Sequence, residues 1–138
     1  MIAALLFATT VFVTNERAGT ISVIDPNTDK VIRTIPVGTR TRYAIFMRDS
    51  KRAYVRSEVA GSINVIDVSH QRAIAHIKLG KLDHPVGMVL SPDETRLYAT
   101  TGRGNSVVVI DTATGRVMAT IPAGDGPWGV AIAYSPNR

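Results

Sequence analysis

Gly61-Ser62-Ile63-Asn64-Val65-Ile66-Asp67 occurs three times in this chain with small changes. The first copy is Gly19-Thr20-Ile21-Ser22-Val23-Ile24-Asp25, and the third is Asn105-Ser106-Val107-Val108-Val109-Ile110-Asp111. The closing aspartates stand 42 and 44 residues apart. Gly38, Gly80 and Gly124 keep the same step, as do Phe12, Tyr54 and Tyr98, and Ile35, Ile77 and Ile121. A period in the low forties, filled with short β-branched runs, is the signature of a four-stranded propeller blade. Rings of this kind use roughly four to eight blades. The sequence therefore predicts an all-β fold: a β-propeller of about three four-stranded antiparallel blades, forming an incomplete ring or one completed by oligomerisation.

The strands follow from the third repeat outward. Val86–Ser91 is a short apolar run ended by Ser91-Pro92-Asp93-Glu94, in which Pro presets φ and Asp bonds its own downstream backbone. Arg96–Thr101 alternates like a strand and stops at Gly102-Arg103-Gly104-Asn105. Ser106–Asp111 is apolar throughout, as expected of a strand buried on both faces. Arg116–Pro122 is the fourth strand. We label these A to D, with A lining the channel and D at the rim. Pro36 and Pro122 near the ends of D strands fit a rim position, because proline supplies no ladder donor. The same map places B, C and D of the first unit near 11–14, 20–25 and 30–36. The second unit's strands fall near 43–48, 53–57, 62–67 and 72–78, and a lone A strand is expected at 128–134. The second A–B turn, Arg48-Asp49-Ser50-Lys51-Arg52, lacks proline and reads as one residue short.

The phase of the repeat leaves the first unit without an A strand and supplies a spare one after the third; residues 2–8 are the alternative strand A, against which stands the missing Ser-Pro-Asp-type turn after them. Trp128–Tyr134 could complete residues 12–37 of a second copy, so that two head-to-tail chains close a six-bladed ring. The domain reading is residues 1–10 as a signal-peptide remnant or arbitrary start, then blades over 11–138, with repeats at about 11–52, 53–96 and 97–138. The opening Met1–Ala8 is apolar but lacks a basic n-region, and it is too short to span a bilayer, which takes about 20 residues.

Composition excludes several classes. The 45% hydrophobic and 20% charged residues are those of a folded chain. No cysteine is present, which removes disulfides, thiolate metal sites and a cysteine nucleophile. The net charge of +5 divides on the strand map as +1 on each set of loops and +3 on strands, from Arg33, Arg56 and Lys78. Phosphate recognition needs basic residues gathered on one face, so nucleic acid is not an expected partner.

Val11-Phe12-Val13-Thr14-Asn15, Ile21–Asp25, Asp111-Thr112-Ala113-Thr114-Gly115, Ala119–Gly124 and Ser91–Glu94 resemble the unit of the YVTN-type β-propeller family. Ser57–Asp67 and the ending Gly124-Asp125-Gly126-Pro127-Trp128-Gly129-Val130-Ala131 are similar to the closing blades of the propeller proteins associated with PQQ-dependent alcohol catabolism. That resemblance implies a periplasmic or extracellular location and no assigned chemistry. The second A strand departs from it, reading Arg42-Tyr43-Ala44 where the family has a Pro-x-Gly start.

Asp25, Asp67 and Asp111 recur in separate blades, so they cannot converge on one ion. They read as carboxylates bonding the backbone of the C–D turns. Histidines 70, 76 and 84 have no ligand spacing. The D–A loops gather at one end of the channel, where converging loops place polar groups over a rigid scaffold. Arg40, Arg42, Tyr43, Asp83, His84, Asp125 and Trp128 lie in or just after those loops and are the candidate contacts for a ligand or partner. No catalytic residue, metal or cofactor is predicted. The expected function is a non-enzymatic binding or interaction scaffold whose partner is another protein or a second copy of the chain. The alternative is the propeller domain of a redox enzyme, resembling quinoprotein amine dehydrogenases or d1-haem domains. There the channel-mouth residues, chiefly Arg42, His84 and Trp128, would contact a cofactor or partner.

Overall fold

Each copy of the repeat folds into one antiparallel sheet, and the sheets stack face to face. The computed structural model describes residues 9–80 and 84–135. Met1–Ala8 and Asp83, and what the sequence suggests for them, lie outside the described residues. The first sheet holds β1 (Val11–Asn15), β2 (Thr20–Asp25) and β3 (Lys30–Pro36). The second holds β4 (Thr41–Phe46), β5 (Arg52–Ser57), β6 (Ser62–Asp67) and β7 (Arg72–Lys78). The third holds β8 (Pro85–Leu90), β9 (Arg96–Thr101), β10 (Ser106–Asp111) and β11 (Val117–Pro122). Strands pair in sequence order within each sheet, so the arrangement is an up-and-down blade repeated, and among the described residues the first blade begins at its second strand.

Alternation decides which side chains meet between blades. Ile21, Val23, Ile35 and Val37 face Ala53, Val55 and Ile66 across the first seam. Tyr54, Ile63, Val65 and Ile77 face Met88, Leu97, Ala99, Val108 and Ile110 across the second. The middle blade thus contributes both faces, and this is why Ser62–Ile66 is buried at every position while β2 is buried at alternate ones. Each fully buried Val, Leu or Ile contributes about 1.5–3 kcal/mol. Asn64 is fully buried in the first seam, and its Nδ2 donates to the Val37 carbonyl at 2.7 Å, fastening the second blade to the first. In the second seam Arg52 Nη1 donates to the Thr112 carbonyl at 2.8 Å.

The turn before each C strand requires a left-handed residue, with φ of 65° at Gly19, 57° at Gly61 and 48° at Asn105. Asparagine is among the side chains that tolerate this region, which explains the Gly/Gly/Asn variation in the repeat.

Three expectations are corrected. No strand forms over 128–134. The segment lies against β8, close enough that a Cβ on Gly87 would meet the Trp128 carbonyl oxygen at 2.4 Å. Among the described residues no B strand is available to pair with it, and a ladder needs two strands. The second A–B turn is not short. Ser50 donates to the Met47 carbonyl as Glu94 donates to that of Ser91, and Ser50 and Glu94 both have positive φ. Met47 takes the place of Ser91, and Asp49 accepts from the Lys51 amide at 2.9 Å as Asp93 does from Thr95 at 3.1 Å. The missing serine made the turn look truncated. The second A strand also begins at Thr41, two residues earlier than expected, because Thr41 pairs with Ser57 across an irregularity at 42–43.

Candidate functional site

The starts of β4 and β8 and the segment 128–130 occupy equivalent positions of the repeat and wall one cavity of about 290 Å³. Arg42, Val86 and Trp128 correspond to one another, as do Tyr43, Gly87 and Gly129. The β4–β5 and β8–β9 ladders are both irregular here, between Thr41 and Ala44 and between Pro85 and Met88. Such bulges bend a strand and re-aim its side chains.

Arg56, at the end of β5, completes the wall and is 6% exposed. Its Nη1 donates to the Pro85 carbonyl at 2.9 Å, while its Nε is buried without a partner. Among the described residues no carboxylate oxygen lies within 4.0 Å of this guanidinium. Burial pushes its pKa down. Glu58, beyond 4.0 Å, offsets this only in part, and a buried charge without a close partner is costly. The other repeats carry Thr14 and Thr100 at this position. Thr100 Oγ1 accepts from the Gly87 amide at 2.8 Å and donates to the Trp128 carbonyl at 2.7 Å, a neutral version of the same cross-blade tie.

The predicted loop residues divide into two groups. Arg42, Tyr43 and Trp128 meet at the cavity, with Tyr43 47% and Trp128 65% exposed. Arg42 Nη2 donates to Glu16 at 2.6 Å and its Nη1 lies 3.8 Å from Glu58. This hydrogen bond holds the Glu16 carboxyl below its usual range and raises the Arg42 guanidinium. Arg40 stands behind them, 3.5 Å from Glu58. His84 and Asp125 do not line the cavity. The His84 carbonyl accepts from the Gly102 amide at 3.0 Å, and Asp125 is exposed beside Gly126, whose amide donates to Asn105 at 2.9 Å.

Arg56 escaped the sequence reading because it falls inside a strand rather than a loop. Aligning the three repeats column by column exposes it, since arginine replaces threonine there. Two of the larger cavities, about 700 and 670 Å³, open at the other end among the A–B and C–D turns and hold none of the predicted loop residues.

The recurring aspartates sit in those turns. Asp25 accepts from the Asn27 amide at 2.8 Å, Asp67 from the His70 amide at 3.0 Å, and Asp111 from the Thr114 amide at 2.7 Å. These bonds hold the Asp67 and Asp111 carboxyls below their ordinary range, the His70 and Thr114 amides acting most strongly. Among the described residues no group of three or more His, Asp or Glu side chains could hold a metal ion. Nor is any described helix long and apolar enough to cross a membrane.

No family model matches the sequence, and no characterised protein matches it by sequence. Solved structures do match. Hydrazine synthase from Kuenenia stuttgartiensis superposes with a TM-score of 0.79 at 26% identity, over 87% of this chain and 34% of that one. The dihydro-haem d1 dehydrogenase NirN gives 0.76 at 17% identity, over 84% and 26%. AztD from Citrobacter koseri gives 0.67 at 20% identity, over 81% and 31%. The chain thus spans a quarter to a third of these proteins, and its fold is that of part of a β-propeller.

Proposed function

We propose that this chain is a non-enzymatic β-propeller scaffold that binds a ligand or protein partner at the D–A loop end and completes its ring with a second copy of itself. One observation carries the proposal. Among the described residues, the first blade has no strand on the outer edge of β1, where an A strand belongs, and residues 128–135 lie unpaired in the position of an A strand after the third blade. Residues 128–135 of one copy fit the outer edge of β1 in another, so that two chains related head to tail would close six blades. In the third blade Met88 pairs with Ala99, and the equivalent residues are Val130 and Val13. Cross-strand pairs lie about 4.5–5.5 Å apart, within disulfide reach. A Val13→Cys, Val130→Cys double variant should therefore oxidise to a covalent dimer, against a background free of native cysteine. Exclusively intrachain or absent cross-links would refute the pairing.

The motifs at 57–67 and 124–131 support a location outside the cytoplasm and a link to quinoprotein alcohol oxidation. The redox-enzyme reading has less support, because His84, its one candidate axial ligand, is not in the cavity wall.

A further inference from the structure

Two residues of the second repeat break a pattern that the others keep around the cavity, Tyr43 for Gly87 and Gly129 and Arg56 for Thr14 and Thr100, and beside them Arg42 stands at a variable position that holds Val86 and Trp128 elsewhere. All three line the same 290 Å³ space. Departures that served packing within one blade would have no reason to converge on a seam between two.

The changes are chemically matched. Gly87 lets the Trp128 backbone approach until no Cβ could fit. Tyr43 puts a phenol ring at the corresponding place on β4, where it lines the cavity. Into that cavity Arg56 presents a guanidinium buried without a carboxylate partner among the described residues. Arg42 lies beside it but is shared between Glu16 and Glu58. Two cations thus stand by the cavity, and the deeper one has no carboxylate oxygen within 4.0 Å among the described residues, Glu58 and Glu16 acting on it only from farther off. Tyr43 and Trp128 flank it with exposed aromatic surface. The volume is at the lower end for ligand pockets, which run from about 300 Å³ upward. A forked guanidinium recognises a carboxylate in bidentate fashion, and aromatic faces favour a flat body.

We infer that this cavity binds a small organic carboxylate with a planar body, its carboxylate on Arg56 and its ring between Tyr43 and Trp128. The inference rests on the scaffold reading above and names the ligand class for the same end of the molecule.

Trp128 is the chain's one tryptophan, so its emission reports directly on the site. Benzoate is the probe and neutral benzamide the control. Benzoate should change Trp128 emission saturably and benzamide should not. Arg56→Met should weaken benzoate at least tenfold, with Arg56→Lys between it and the parent. Equal responses to benzoate and benzamide, or unchanged affinity in Arg56→Met, would overturn the inference. Should Arg56→Met fail to fold, Tyr43→Gly restores the residue of the other repeats and should also abolish the response; retained binding there would equally refute the site. Titrating the species of known solution mass separates the two proposals. A dimer silent to benzoate refutes the ligand alone, and a monomer that responds refutes the ring alone.

Discussion

Arg56 donates from Nη1 to the carbonyl of Pro85 at 2.9 Å across the seam between the second and third blades. Thr100 makes the corresponding tie to Trp128 at 2.7 Å across the next seam. The contrast between a charged and a neutral link at one position of the repeat organises the candidate site.

Gly87 is held to glycine by the approach of Trp128. Gly87→Ala forces a Cβ to within 2.4 Å of that carbonyl, so residues 128–135 must move. The expected cost is about 1–3 kcal/mol, typical of overpacking, with a shift in Trp128 emission. Gly129→Ala meets nothing within 4 Å and should stay within about 0.5 kcal/mol of the parent. Urea denaturation of both variants checks the pair, and equal stabilities would contradict the close approach.

Asn64 fastens the first two blades through the Val37 carbonyl. Asn64→Ala leaves that buried acceptor without its partner and should cost about 1–3 kcal/mol. Thermal unfolding of the variant measures this, and a neutral result would remove the hydrogen bond from the account.

Ile63 sits fully buried in the second seam. Ile63→Val should cost about 0.5–1.5 kcal/mol and Ile63→Ala about 2–5. If blades two and three did not pack through this residue, both substitutions would fall near zero in chemical denaturation.

The A–B turn of the third blade makes a pH prediction. Asp93 accepts from the Ser91 hydroxyl and from Thr95, which hold its carboxyl down from 3.8 to about 2. A carboxylate lowered on folding stabilises the native state above its unfolded value and loses that contribution as pH falls through the folded one. Stability should therefore be flat near neutrality and fall between about pH 4 and pH 2. Asp67 and Asp111 act with the same sign. Asp93→Asn should make the decline shallower in that window, measured as urea midpoint against pH.

The blades were legible because the spacing of the aspartates and the β-branched runs both answer to one physical unit. Every strand named from the sequence up to Pro122 is present, within two residues at its ends. The segment 128–134 misled because its apolar residues carry strand propensity, while a strand is defined by a partner that the described residues do not supply. Three of the nine residues that line the candidate cavity were legible as well. Loop convergence pointed to Arg42, Tyr43 and Trp128, yet equally to His84 and Asp125, which a loop-level argument cannot separate from them. Arg56 was invisible to that argument, since its alternation is that of an ordinary strand residue.

The measurement that tests the central claim most directly is the solution mass, by light scattering behind size exclusion. The account predicts twice the 14.8 kDa of one chain, with β1 of each copy taking up residues 128–134 of the other. A particle of 14.8 kDa that stays folded at micromolar concentration would contradict it.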